Sequence, residues 1–236
     1  MNELSRRLQT VAALCKPTEV IADIGCDHGY MAIHLVRSGI CQRAVASDVN
    51  DGPLQRAREH VDEAGLSDRI DLRKSDGLEA YQPGEVTAMV AAGMGGPLMR
   101  DILIRGRDKV CGMDYLVLQP QSEIPEFRSF LKKAGFSFED ESLTEDAGKY
   151  YPMMRLIPPG DSKRIDRTSC PEAGSVFSAE EIYGPVLLKV RPAILTEYLK
   201  KEKQRVQSLL GAVPADKEER IRELRREEAM IDGLLQ

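Results

Sequence analysis

The sequence predicts an α/β fold: an open, mostly parallel sheet with helices on both faces, followed by a helical hairpin. Three observations predict it. Short apolar runs alternate with helical patterns from Glu19 to about Leu156. Two of those runs end in glycine turns, IADIGCDHGY at Ile21–Tyr30 and AGMGG at Ala92–Gly96. Strands deliver a chain in this way to a ligand at the carboxyl edge of a parallel sheet. Late in the chain the alternation gives way to two long helical patterns.

The strands are expected at Val20–Ile24, Ala44–Ser47, Ile70–Lys74, Val86–Ala92 and Tyr115–Gln119. Helices are expected between them at Tyr30–Arg37, Pro53–Ala64, Gly96–Ile104 and Glu123–Ala134. Beyond Gly135, FSFEDESLTED and KYYPMMRLIP follow with no helix between them, which predicts an antiparallel pair closing the sheet. Pro158, Pro159, Gly160 and Asp161 punctuate the end of this part. The expected domains are therefore residues 1–158 and 159–236. In the second, Ile194, Leu195, Tyr198, Val206 and Leu209 share one helical face, and Ile221, Leu224, Ile231 and Leu235 share another. Gly211 and Pro214 interrupt the two patterns, which predicts a coiled-coil-like antiparallel hairpin.

A chain of 236 residues can bury one good core and carry a small appendage. No apolar run approaches the roughly 20 residues that span a bilayer. MNELSRRLQT lacks the apolar centre of a signal peptide. A cytoplasmic protein with no membrane association is expected. The five cysteines are odd in number and include no CxxC pair, so reduced thiols fit better than a disulfide framework or a zinc ribbon. No metal is expected. A net charge of −5 argues against non-specific coating of nucleic acid, yet permits a local basic patch that docks a structured RNA.

The first glycine turn departs from a dinucleotide fingerprint, which needs G-x-G-x-x-G so that backbone can approach a pyrophosphate. Here the turn carries Asp23, Asp27 and His28 around Gly25. Carboxylates repel a diphosphate but suit a cationic cofactor, and S-adenosylmethionine carries a sulfonium and an ammonium. Asp48 ends the second strand, where an acid can accept from both ribose hydroxyls. Asp76, in SDGLE, ends the third and can accept from an adenine amino group. Acids at three successive strand ends are more specific than any one of them, since a single Asp is more often a cap or turn former. His28 acts as a base or a ligand, or orients the loop. Tyr30 stacks on a base or packs behind the loop. Met94 lines a cofactor pocket or fills core.

On LSRRLQTVA (Leu4–Ala12), ADIGCDHGY (Ala22–Tyr30), DGPLQRA (Asp51–Ala57), SDGLE (Ser75–Glu79), AGMGG, LVLQP (Leu116–Pro120) and YGPVLL (Tyr183–Leu188), the chain resembles the bacterial tRNA (adenine-22-N1)-methyltransferase family. The resemblance covers nearly the whole chain. It implies a Rossmann-like class I methyltransferase fold with a C-terminal helical hairpin. It also implies methyl transfer from S-adenosylmethionine to N1 of an adenosine in the D arm of tRNA. It places the catalytic acid at Asp27 and cofactor residues at Asp23, Gly25, Asp48, Asp76, Gly77, Gly93, Met94 and Gly95. Candidate tRNA contacts are Arg6, Arg7, His28, Tyr30 and Gln121, with tRNA as the partner and a monomer expected. Further basic candidates are Arg37, Arg100, Arg105, Arg107 and Lys109, and on the hairpin Lys200, Lys201, Lys203 and Arg205. Departures from the family pattern are Cys26 at a usual Ser, Gly29 at a common Ala, Ser47-Asp48-Val49 in place of a GE-type pair, and Gln121 at a usual Asn.

N1 of adenine has an available lone pair, so the expected catalysis is mainly alignment. The alkylated ring becomes cationic, which gives Asp27 an electrostatic role first and a hydrogen-bonding role toward the exocyclic amine second. A paired target must leave its stack to expose N1. The rival readings are a methyltransferase for another RNA base or a small molecule, and a non-catalytic protein that binds S-adenosylmethionine or RNA.

Overall fold

The computed structural model describes residues 4–236. In chain order the elements are α1 (Arg6–Ala13), β1 (Thr18–Ile24), α2 (Tyr30–Arg37), β2 (Cys41–Asp48), α3 (Asp51–Glu63), β3 (Ile70–Lys74), β4 (Ala88–Met94), α4 (Gly96–Arg105), α5 (Arg107–Val110), β5 (Tyr115–Pro120), α6 (Ile124–Ala134), β6 (Ser137–Asp146) and β7 (Lys149–Ile157). Four helices follow: α7 (Ala179–Tyr183), α8 (Pro185–Val190), α9 (Ala193–Ala212) and α10 (Glu218–Leu235).

The seven strands form one sheet in the order β3-β2-β1-β4-β5-β7-β6. β1 to β5 pair in parallel, and β7 runs antiparallel between β5 and β6. The order reverses at β1, so the crevice outside β1 and β4 is the topological switch point where such sheets bind ligands. Both faces are covered, so the middles of the central strands are apolar at successive positions, as in Val20–Ala22, Ala88–Ala92 and Tyr115–Leu118, rather than at alternate ones. Ile21, Tyr115 and Val117 belong to the core that includes α2 and α3 residues, while Ala22, Ile24, Leu116 and Leu118 belong to the one that includes α4 and α6 residues.

The sheet and the antiparallel closing pair follow the sequence expectation. The domain boundary differs. The first compact unit extends to Val186, and Leu187–Gln236 forms the second. The prolines and glycine at 158–160 end the sheet, not the unit. Beyond them Ile165 is fully buried in the first unit's core. Arg128 of α6 forms a buried ion pair with Glu141 of β6 at 3.1 Å and donates to the carbonyl of Ile182 at 2.9 Å. Glu141 also accepts from the Val186 N–H at 2.8 Å. These contacts hold the irregular segment to the sheet, and no local pattern signals them.

In the second unit α9 and α10 run antiparallel, shown by Lys203 with Asp232 at 2.6 Å and Gln207 with Glu228 at 2.9 Å. Val206, Leu224 and Ile231 are fully buried. Gly211 does not interrupt α9, since an exposed helical glycine costs only about 1 kcal/mol. The helix ends where Pro214 forces Val213 into extended backbone (φ −73°, ψ 130°).

Candidate active site

A cleft of about 470 Å³ opens at the carboxyl ends of the parallel strands. It is lined by Asp23, Gly25, Asp27, His28, Tyr30, Asp48, Asp76, Gly77, Gly93, Met94, Gln121 and Arg7, so twelve of the fourteen catalytic, cofactor and first-named tRNA candidates meet there, and none of the nine further basic candidates does. Gly95 and Arg6 lie outside it. Gly95 is the N-cap of α4, and the Ser122 hydroxyl lies 2.9 Å from where a Cβ would sit, so a side chain there would crowd Ser122. Arg6 begins α1 and is exposed, while Arg7, about 100° further round the helix, is half-buried.

The loop after β1 is pinned from the neighbouring strand. The Ser47 carbonyl accepts from the N–H groups of Gly25 (2.8 Å) and Cys26 (3.0 Å). Gly25 has φ +72°, and a Cβ there would collide with the Met94 methyl group, so only glycine fits. Asp27 follows in the left-handed region (φ 49°), which Asp tolerates better than most residues. Burial raises the pKa of the Cys26 thiol, with the charges of Asp23 and Asp48 adding to it, so a neutral thiol stands at this turn.

Asp23 is almost fully buried, and Oδ2 accepts from the Ala32 N–H at 3.2 Å in the first turn of α2. Burial pushes its pKa up to about 7, the Ala32 hydrogen bond opposes this, and the Asp48 charge adds to it. No arginine, lysine or histidine pairs with it among the described residues. A buried carboxylate without a cation, facing a cleft, is a receptor for a positively charged group. Asp48 accepts from the Asn50 N–H at 2.9 Å through Oδ1 alone. Asp76 differs from expectation in its surroundings: Arg105 grips both its oxygens, at 2.8 and 2.9 Å, and holds its carboxyl below the usual range. Val49 and Leu98 add exposed apolar surface to the cleft. A cation receptor, two further acids and apolar flanks fit the ammonium, ribose and adenine of S-adenosylmethionine.

Asp27 is exposed, with Oδ1 3.7 Å from Arg56 and Oδ2 3.6 Å from His28 Nε2. Both lie at ion-pair rather than hydrogen-bond distance, so the carboxylate stays available. Tyr30 stacks on His60 (centroids 4.6 Å) and His28 (5.6 Å), and its hydroxyl is 3.2 Å from His60 Nε2. His60 Nδ1 is 2.9 Å from the His28 carbonyl oxygen. Tyr30 therefore packs behind the loop and also lines the cleft. Arg56 and His60, four residues apart on one face of α3, support the loop. Neither stood out in the sequence, because a polar pair on an amphipathic helix looks like any solvated face.

The second glycine turn is built differently. Gly93 (φ +88°) lies in a bulge between the Ala92–Gln119 and Met94–Pro120 pairs of β4 and β5. Its N–H, freed from the ladder, is taken up by the Gln119 side-chain carbonyl at 3.1 Å. The same oxygen accepts from Arg7 at 2.7 Å. Gln119 is fully buried, and sequence reasoning missed it although it stands in LVLQP. The available signal was a long amide inside an otherwise apolar central strand.

Five of the other basic candidates have partners in the fold: Arg37 donates to the Ala64 carbonyl, Arg105 is held by Asp76 and Glu79, Lys109 donates to the Leu78 carbonyl, Lys203 pairs with Asp232, and Arg205 with Glu202 and Glu227. No cluster suited to a metal ion occurs among the described residues, and no helix there is long and apolar enough to cross a membrane.

Residues 4–154 match the family model of a methyltransferase domain. The chain is 36% identical over 211 residues to the tRNA (adenine(22)-N(1))-methyltransferase of Bacillus subtilis, covering 89% of this chain and 86% of that one. The chain belongs to the tRNA (adenine-22-N1)-methyltransferase family. The crystal structure of the B. subtilis m1A22 tRNA methyltransferase superposes with a TM-score of 0.81 at 31% identity over 99% of both chains. A Streptococcus pneumoniae protein solved in complex with S-adenosyl-L-methionine superposes with a TM-score of 0.83 at 28% identity, over 99% of this chain and all of that one. In this methyltransferase family member, the twelve convergent residues and the switch-point cleft mark one site.

Proposed function

We propose that this chain transfers a methyl group from S-adenosylmethionine to N1 of adenosine 22 in the D arm of tRNA, acting as a cytoplasmic monomer. The observation that carries the reading is Asp23, a buried carboxylate without a cationic partner facing the switch-point cleft. The target position rests on relatedness to the B. subtilis enzyme across most of the chain.

When bound, S-adenosylmethionine supplies an electrophilic methyl group on a sulfonium. Asp23 would hold the cofactor ammonium, Asp48 would accept from the ribose hydroxyls, and Asp76, kept ionised by Arg105, would accept from the adenine amino group. Asp27, exposed at the cleft, would stabilise the positive charge that the target ring acquires. No general base is required, because N1 attacks with an existing lone pair. His28 and Tyr30, fixed through His60, keep the Asp27 loop in place. Arg7 and Gln121 border the Gly93 bulge, where the nucleotide is received.

The test is methyl transfer from labelled S-adenosylmethionine to unmodified tRNA, with the product nucleoside mapped by mass spectrometry. N1-methyladenosine at position 22 is expected. Cofactor binding without transfer to any tRNA would overturn the substrate assignment, and N1-methyladenosine elsewhere would overturn the position.

A further inference from the structure

Gln119 has no part in the chemistry above, yet it is a fully buried polar residue beside the cleft with every one of its side-chain groups engaged. Its side-chain carbonyl accepts from Arg7 and from the Gly93 N–H, and its amide Nε2 donates to the Pro120 carbonyl at 2.9 Å. A fully buried amide with three hydrogen bonds has one available orientation. Arg7 is thereby held by a neutral group. Its guanidinium also faces the Tyr151 ring at 5.8 Å. The nearby Asp146 carboxylate accepts from the Arg7 backbone N–H at 3.1 Å, and no carboxylate pairs with the guanidinium among the described residues. A Cβ at Gly93 would lie 3.5 Å from Arg7 and 3.6 Å from the Gln121 amide, so these groups converge on one spot. The result is a fixed, uncompensated positive charge lining the cleft.

We propose that Gln119 is a positioning residue that aims Arg7 at a phosphodiester of the tRNA flanking the extruded adenosine. A carboxylate in its place would orient Arg7 equally well but cancel the charge. A neutral amide orients it and leaves the charge for the substrate, and guanidinium geometry suits phosphate. The bulge at Gly93 is tied to the same oxygen, so the contact and the glycine turn are set together. This inference rests on the tRNA reading above. The anion that competes for the role is the carboxylate of the cofactor, and the arms below separate the two.

The experiment measures tRNA Kd against salt, cofactor Kd by calorimetry, and steady-state transfer for wild type, Arg7→Ala, Gln119→Leu, Gln119→Glu and the Arg7→Ala/Gln119→Leu double variant. Arg7→Ala should weaken tRNA binding roughly tenfold. It should also lower the salt slope by about one, as loss of a single phosphate contact does. Gln119→Leu should raise the tRNA KM comparably, and adding it to Arg7→Ala should change that KM by less than about twofold. Gln119→Glu, which retains an acceptor, should still show the lowered salt slope, and it carries the test if Gln119→Leu fails to bind cofactor. Additive effects in the double variant, or an unchanged salt slope in Gln119→Glu, would overturn the proposal. A weaker cofactor Kd in Arg7→Ala would assign Arg7 to the cofactor carboxylate instead and would also overturn it. If wild type transfers no methyl to tRNA, the underlying substrate reading has failed, which is distinct from variants that behave as wild type.

Discussion

The two glycine turns of the cleft are made in opposite ways. The turn after β1 carries its own chemistry: Asp23, Asp27 and His28 lie within six residues of one another. The turn after β4 carries none, because AGMGG has no charged or amide side chain. Its polarity comes from Arg7 on α1 and from Gln119 and Gln121 at the end of β5, and the Arg7–Gln119 contact spans 112 residues of sequence. The supports differ too. The first turn leans on exposed Arg56 and half-buried His60 of α3, and the second on a fully buried amide. An exposed ion pair contributes little, whereas an unsatisfied buried group is costly. The first turn should therefore respond most to loss of its own carboxylates, and the second to changes in backbone and buried hydrogen bonding.

The sharpest way to break this comparison is Asp27→Ala, which should lower kcat about 100-fold while cofactor Kd changes little. Single-turnover transfer to tRNA checks it, and near-normal turnover would remove Asp27 from the chemistry.

Asp23→Asn comes next, with cofactor affinity expected to fall about tenfold, the scale of losing a hydrogen bond to a charged group. The pH dependence follows from the raised pKa. In the folded, ligand-free protein Asp23 keeps its proton up to about pH 7, whereas its ordinary value is 3.8. Between those values the folded state binds the extra proton, so this group's contribution to stability falls as pH rises through the window and is lowest above it. Cofactor affinity should move the other way, weakening as pH drops below about 7, because the ammonium needs the ionised form. Asp23→Asn should flatten both trends. Calorimetry and thermal melts from pH 5 to 8 measure them, and parallel profiles for wild type and variant would refute the assignment.

Gly93→Ala probes the second turn through its backbone. The left-handed φ should cost about 1–2 kcal/mol, seen as a lower Tm, and the added methyl group should crowd Arg7 and Gln121. A variant as stable as wild type would show that the bulge relaxes freely.

The smallest effect is expected for His60→Ala. Loss of its hydrogen bond to the His28 carbonyl should cost about 1 kcal/mol, read as a several-fold lower kcat with little change in tRNA KM. An effect as large as that of Asp27→Ala would mean that His60 takes part in the reaction itself.

Much of this molecule is legible in the sequence. The alternation of apolar runs and helical patterns is local, so the sheet strands, their helices and the closing antiparallel pair follow from it. The acids at the ends of β1, β2 and β3 are equally local, because a parallel sheet puts every strand's carboxyl end on the same edge. Motifs also gave the family, and the comparisons bear it out. Less legible is what depends on packing. Arg105 on Asp76, His60 behind Tyr30, and the Arg128–Glu141 pair that holds residues 159–186 to the sheet all join segments whose own patterns are complete without them.

The fold class, the cleft's place at the strand ends and the acidic character of its first turn all follow from local sequence, since periodicity and turn chemistry act over a few residues. Three features needed the folded chain: Asp23 is buried without a cation among the described residues, Gly95 and Arg6 lie outside the cleft's lining, and Gln119 joins Arg7 to Gly93. The physical reason is that burial and hydrogen-bond satisfaction belong to neighbours in space, and here such neighbours stand as far apart in the sequence as Arg7 and Gln119, 112 residues.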